Sequence, residues 1–171
     1  MGERMTGRRI WASNSHAGRR VPLAWARLLK THAVLIRQMD ATLRASHGLT
    51  INDYEVLLRL SWAPDGRLSR RQLADSVHLT QGGITRLLDG LERAGLVTSA
   101  PSDTDRRVVH ARLTEAGRAR LRAAARTHTD DIASLFTARF SPEELATLAE
   151  LLAGPADAED SEGLPGSAVT R

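Results

Sequence analysis

At 171 residues, with 42% hydrophobic and 26% charged side chains, the chain is long enough for one hydrophobic core and ordinary in composition for a globular domain. No apolar run approaches the ~18 residues of a membrane-spanning helix, and the absence of cysteine excludes disulfides and thiolate metal sites and fits an intracellular, cytoplasmic protein. Lys and Arg number 24 against 20 Asp and Glu, so the net charge of +4 favours nucleic acid only where the cations cluster.

Residues 1–20 carry Arg4, Arg8, Arg9, Arg19 and Arg20 among Gly, Ser and Asn and have no helical periodicity; they are expected to form a disordered basic arm. The arm lacks the apolar centre of a secretion signal. From Pro22, the residues Leu28, Leu29, His32, Leu35, Ile36, Met39 and Leu43 mark one face of a long helix that stops near His47 and Gly48. Thr50, with Asp53 three residues on, starts a second helix through Tyr54, Leu57, Leu58 and Leu60, which ends before the turn Pro64-Asp65-Gly66. Arg67-Leu68 is a brief extended piece. Ser69 with Gln72 then forms a capping box for a short helix carrying Leu73, Ala74 and Val77, and Val77-His78-Leu79 makes a tight turn into Thr80.

Thr80 to Gly95 is one helix bounded by its own chemistry. Thr80 is a good N-cap, and Gly95 followed by Leu96 suits a glycine C-cap with its hydrophobic partner. Ile84, Leu87, Leu88 and Leu91 fall at three- and four-residue spacings and should face the core, while Gln81, Gly82, Thr85, Arg86, Asp89 and Arg93 share the opposite face. After Gly95 come a strand over Leu96 to Ala100, a charged loop from Pro101 to Arg107, and a returning strand over Val108 to Leu113. Thr114 caps a long helix with Leu121, Ala124, Ala125, His128, Ile132, Leu135 and Phe136. Ser141-Pro142-Glu143-Glu144 starts a last helix with Leu145, Leu148, Leu151 and Leu152, closed by Gly154-Pro155. Residues 154–171 mix Asp157, Glu159, Asp160 and Glu162 with Gly and Pro and are expected to be a disordered acidic tail. The organisation is mainly α with a small β-hairpin, in a single domain over residues 21–153 whose reading lobe spans about 51–113.

A helix-turn-helix followed by a hairpin with an arginine tip has a direct use on double-stranded DNA. The second helix fits the major groove, and the hairpin reaches neighbouring phosphates or the minor groove. Gln81, Thr85 and Arg86 are of types that bond base edges or phosphates; Gly82 and Gly83 let the helix start, with its free N–H groups, come close to phosphate. Arg106 and Arg107 are the hairpin's contacts, and Thr80, Ser69 and Arg70, at the starts of the two helices, complete the candidate DNA-binding set. An architectural binder without sequence preference would need arginines where Gln81 and Thr85 stand. The chain has no glycine-rich phosphate loop after a strand, no Gly-x-Ser-x-Gly and no His-Glu-x-x-His, so an enzyme is not expected. Glu143 and Glu144 have a sufficient role in capping and in the helix dipole. The 6 histidines have no close ligand spacing, so no metal site is expected, and no cofactor.

These segments resemble, in order and spacing, the MarR family of winged-helix transcriptional regulators over roughly Leu23 to Leu152. The matching pieces are Thr80-Gln81-Gly82-Gly83-Ile84-Thr85-Arg86-Leu87, then Leu91-Glu92-Arg93-Ala94-Gly95-Leu96-Val97, then Asp103-Thr104-Asp105-Arg106-Arg107 and Leu113-Thr114-Glu115-Ala116-Gly117. The resemblance implies a winged helix-turn-helix flanked by N- and C-terminal dimerisation helices, a homodimer on a pseudopalindromic operator, and repression relieved by a small ligand. It also implies that Asp89 pairs with a wing arginine, Arg107 first among them, with Asp105 assisting, to lock the wing onto the reading helix. Small aromatic acids and phenols are frequent effectors of the family, and its pocket position points to Trp25, His32, Tyr54, Glu55 and Trp62. Independently, the leucine faces of the first and last helices exceed what the middle of the chain can cover, which also favours a second copy.

Overall fold

The first helix, α1, spans His16–His47 and so begins six residues before Pro22, which lies in its second turn. Proline there removes one N–H, the partner of the Gly18 carbonyl, and its ring crowds that carbonyl, yet the helix continues through it. The basic arm expected over residues 1–20 is thus helical from residue 16, and its first 15 residues lie outside the described ones. The computed structural model describes residues 16–63, 66–101 and 108–156. The chain divides after Thr127 into two units, where the sequence pattern grouped residues 21–153 as one domain.

In the larger unit α1 is followed by α2 (Ile51–Trp62), β1 (Arg67–Ser69), α3 (Arg70–Ser76), α4 (Gln81–Arg93), β2 (Val97–Pro101), β3 (Val109–Leu113) and the first turns of α5 (Glu115–Thr137). Gly48 ends α1 with φ +66°, its N–H bonded to the Arg44 carbonyl at 3.0 Å. The start of α2 is over-determined: Asp53 N–H donates to Thr50 Oγ1 at 2.9 Å and Thr50 N–H donates to Asp53 Oδ2 at 2.8 Å. Asp40 of α1 accepts a further N-terminal donor of α2, Ile51 N–H, at 2.9 Å. The same carboxylate holds Arg44 at 2.6 Å, and that hydrogen bond, followed by the one from Ile51, keeps Asp40 below the usual carboxylate range.

The core sits beneath the helix-turn-helix. Leu43, Val56, Leu57, Leu60, Leu73, Ile84 and Leu88 are fully buried, closed by Val97, Ala111 and Leu113 from the strands and Leu121 and Ala124 from α5. The sheet is antiparallel with three strands, in the order β1-β3-β2. The hairpin expected from sequence is therefore only part of it. The extended piece at Arg67 pairs Leu68 with Ala111 and Ser69 with His110, while Val97 pairs with Leu113 and Ser99 with Ala111. Ala111 and Leu113 face the core; between them, Arg112 is exposed beside Arg67 and Thr98.

The smaller unit comprises the last turns of α5 and α6 (Pro142–Ala156), which runs through Gly154 and Pro155 rather than ending before them. Ser141 caps α6: its N–H donates to Glu144 Oε2 at 2.9 Å and its hydroxyl donates to Glu143 Oε2 at 2.7 Å. That hydroxyl keeps Glu143 ionised below its ordinary range, so this carboxylate serves the helix start. Phe136 and Phe140 pack with ring centroids 6.2 Å apart.

Candidate nucleic-acid interface

The geometry of α4 is set from both ends. At its start Thr80 is extended (φ −68°, ψ 156°) and its hydroxyl oxygen accepts the Gly83 N–H at 3.1 Å. At its end Gly95, at φ +70°, donates to the Glu92 carbonyl at 2.9 Å, and Leu96 N–H donates to the Leu91 carbonyl at 2.9 Å while its side chain enters the core. The turn before α4 is closed the same way: His78 takes φ +52° and Leu79 N–H reaches the Ala74 carbonyl at 3.0 Å, ending α3 and reversing the chain. Histidine is the one non-glycine residue with positive φ among those described.

Ile84, Leu88 and Leu91 are buried, with Leu87 half-buried, so the apolar side of α4 is the side the spacing indicates. The opposite side presents Gln81, Gly82, Arg86, Asp89 and Arg93 to solvent. The Thr85 hydroxyl is turned back onto the Gln81 carbonyl at 2.9 Å, so its proton is committed and it faces outward as an acceptor and a methyl group. Arg93 Nε likewise donates to the Asp89 carbonyl at 3.1 Å. Gln81 and Arg86 remain the exposed donor-bearing side chains of the first turns. No Asp or Glu stands in the first turn of α4, as in α1 and α3, whereas α2 and α5 carry one and α6 two, so the positive end of this helix has no local counter-charge.

Besides Thr80 and Thr85, two more of the candidate contacts have structural duties. Ser69 is the N-cap of α3: its hydroxyl oxygen accepts from Gln72 N–H at 3.2 Å, and its own N–H donates to Gln72 Oε1 at 2.9 Å. Arg70 places Nη2 3.7 Å from Asp89 Oδ1, joining α3 to α4, and its Nε is buried with no partner among the described residues. Sequence reasoning missed this pairing, because it links residues on different helices with no fixed spacing. Asp105, Arg106 and Arg107 lie outside the described residues, and with them the proposed lock between Asp89 and the wing.

A further tie, missed in its extent, holds the end of α4. Thr114 N–H donates to the Leu96 carbonyl at 3.1 Å, its hydroxyl donates to the Gly95 carbonyl at 2.7 Å, and the hydroxyl oxygen accepts Gly117 N–H at 3.0 Å. Further along α5, Arg120 donates to the His47 carbonyl and Thr127 Oγ1 lies 2.8 Å from His47 Nε2. The stretch from Thr114 to Thr127 thus holds the C-terminal ends of α4 and of α1.

The five candidate effector residues do not share one environment. Trp25 and His32 are exposed on α1, Tyr54 belongs to the core, Glu55 is half-buried, and Trp62 lies at the end of α2 with the Arg59 guanidinium 5.3 Å from its ring centroid. Burial, and then the neighbouring Glu55, push the Tyr54 hydroxyl above its ordinary pKa. An open groove of about 350 Å³ on α6, lined by Phe140, Glu143, Glu144, Thr147, Leu148 and Leu151, contains none of them. Among the described residues no three His, Asp or Glu side chains are grouped to hold a metal, and no helix is long and apolar enough to cross a membrane.

Comparison with known proteins agrees with this geometry. The MarR family profile matches residues 47–108, which include α2 to β2. The HTH-type transcriptional repressor YetL of Bacillus subtilis is 34% identical over 108 residues, 63% of this chain but only 64% of YetL's own length. The HTH-type transcriptional regulator MhqR of the same organism is 34% identical over 106 residues, 62% of this chain and 71% of that protein. Among solved structures, Sco3205, a MarR family transcriptional regulator from Streptomyces coelicolor in complex with DNA, superposes with a TM-score of 0.71 at 26% identity, over 80% of this chain and 86% of that one. A helix capped by Thr80 and Gly95, set behind a tight turn and before a β-hairpin, is thus matched in sequence and in shape: the chain belongs to the MarR family of transcriptional regulators.

Proposed function

We propose that the protein is a repressor that binds a pseudopalindromic operator in double-stranded DNA as a homodimer and leaves it when a small aromatic or phenolic ligand binds. The observation that carries the DNA-reading part is the outer side of α4: Gln81 and Arg86 stand exposed at a helix start that has no carboxylate of its own. The DNA-bound state of Sco3205 supports the same role for the corresponding lobe. Arg106 and Arg107 at the hairpin tip supply the flanking contacts, and Asp89 is available to hold the wing as well as Arg70.

The dimer has its own support. On α1, Val21, Leu23, Trp25, Leu28 and Leu29 are between 48% and 69% exposed, a run of apolar side chains that a lone chain leaves in water. In the smaller unit Ile132, Phe140, Leu151 and Leu152 are also exposed. A second copy related by two-fold symmetry covers such surfaces and spaces two α4 helices for half-sites about one turn, ~10 base pairs, apart. Release by a ligand rests on the family and on the exposed aromatic side chains Trp25 of α1 and Trp62 of α2.

Light scattering on the purified chain, followed by footprinting on the DNA flanking its own gene with and without candidate aromatic acids, tests the whole proposal. A two-fold-symmetric protected site occupied by a dimer and vacated with an acid is the expected result. A monomer that protects no site overturns it.

A further inference from the structure

The three glycines of α4 are not equivalent. A Cβ at Gly83 would lie 3.2 Å from Thr80 Oγ1 and 3.8 Å from the Leu79 Cβ, so the cap and the turn account for that glycine. At Gly82 and at Gly90 nothing among the described residues comes within 4 Å of such a Cβ, and neither takes a positive φ. Alanine fits both places and favours the helix. The fold asks for glycine at neither.

The two differ in what they face. At about 100° per residue, Gly82 lies on the far side of α4 from Ile84 and on the same side as Arg86, one turn later, and Asp89, two turns later. It is exposed, and it follows Gln81 directly. Gly90 is half-buried in the second half of the helix, away from the end that enters a groove. Gln81 and Arg86 have limited reach, and a hydrogen bond to a base edge fails beyond about 3.5 Å. Both therefore depend on how deeply the backbone between them settles.

We propose that Gly82 is the point of closest approach between α4 and DNA, a specificity residue that acts by lacking a side chain: the edge of a base pair or the groove wall fills the volume a Cβ would take. This rests on the DNA-reading role proposed above. A methyl group there lifts the helix by roughly 1 Å or more, which breaks the short, directional contacts of Gln81 and Arg86. Longer-range attraction between the cations and phosphate survives such a shift, because it falls off slowly with distance. The loss is therefore confined to the preferred sequence.

The experiment uses a duplex that the wild-type full chain selects from a random-sequence library, together with a scrambled duplex. Gly82→Ala and Gly90→Ala are each compared with wild type for melting temperature, affinity for both duplexes and salt dependence. Both variants are expected to melt as wild type or about 2–4 °C higher, since neither added methyl meets the fold. Gly82→Ala is expected to lose about tenfold or more in affinity for the selected duplex, with unchanged affinity for the scrambled one and an unchanged salt slope. Gly90→Ala is expected to keep both affinities. Wild-type affinity of Gly82→Ala for the selected duplex overturns the inference and leaves the reading role of α4 standing. An equal loss on both duplexes, or the same loss in Gly90→Ala, overturns it as well. Failure of the wild-type chain to enrich any sequence removes the DNA-reading proposal and this inference together.

Discussion

The α-carbon of Gly117 packs against the carbonyl group of Leu96: a Cβ built at Gly117 would stand 2.0 Å from the Leu96 oxygen and 2.9 Å from its carbonyl carbon. That oxygen already accepts Thr114 N–H, and Leu96 is the residue whose side chain closes the end of α4. No rotamer change relieves a clash with backbone. Gly117→Ala is therefore expected to push α5 off α4 and to cost about 2–3 kcal/mol in urea unfolding, with weakened DNA binding in the fraction that stays folded. Thr114→Val, which keeps the shape and loses two hydrogen bonds, should cost about 1–2 kcal/mol, and Thr114→Ser close to nothing. A Gly117→Ala protein as stable as wild type would contradict the packing.

The turn between α3 and α4 stores a smaller strain. His78 holds φ +52° on an exposed position, a conformation that costs a side-chain-bearing residue about 1 kcal/mol. His78→Gly relieves that cost but frees the unfolded backbone, so the expected gain is at most about 1 kcal/mol. His78→Val, β-branched, should lose about 1–2 kcal/mol. Thermal melting of the two variants checks the order, and a valine variant at or above wild type would show that the turn does not need this backbone.

Much of the frame is legible in the sequence because helix ends are local. Thr50 with Asp53, Ser69 with Gln72, Thr80 before a polar turn, and glycines at 48 and 95 each act within a few residues, so spacing alone reveals them. The apolar side of α4 is equally local. What spacing does not reveal is pairing at a distance. Three residues of β1 carry no periodicity of their own, and only their register against Ala111 and His110 makes them a strand. The Arg70 contact to Asp89 and the glycine at 117 depend on how separate elements meet. The start of α1 lies before Pro22, although proline in the second turn loses a hydrogen bond and crowds the Gly18 carbonyl, so that residue alone does not mark where the helix begins.

Acid should loosen the corner between α1 and α2 first. Asp40 is held below the ordinary carboxylate pKa, chiefly by the Arg44 hydrogen bond and then by Ile51 N–H. A carboxylate with a lowered folded pKa adds stability that is fully present above the unfolded value of about 4 and is lost as pH falls through the folded one. The wild-type chain is therefore expected to lose stability below about pH 4, while Asp40→Asn should be less stable by about 1 kcal/mol at pH 7 and nearly equal to wild type in acid. Urea unfolding across pH 3–7 measures it; a constant gap between the two proteins would contradict the assignment.

The contacts of α4 and of the wing should separate by what they report. Gln81 and Arg86 are exposed and able to make directional bonds, so Gln81→Ala or Arg86→Ala is expected to cost about 1–3 kcal/mol on a preferred sequence, less on others, relaxing the choice of base at one position each. Arg107, taken as a phosphate or narrow-groove contact, should behave differently: Arg107→Ala weakens binding to every sequence and reduces the salt slope by about one unit. Arg70→Ala gives a third pattern, because its partner within the fold is Asp89. The pair is about half exposed and at 3.7 Å is not a close hydrogen bond, so its loss should change stability by no more than about 1 kcal/mol, and any larger effect on DNA affinity must come through the placement of α4. Measuring affinity for matched and mismatched duplexes at several salt concentrations distinguishes the three. If Gln81→Ala and Arg86→Ala both keep the full base preference, α4 is not the reader, however well its ends are capped.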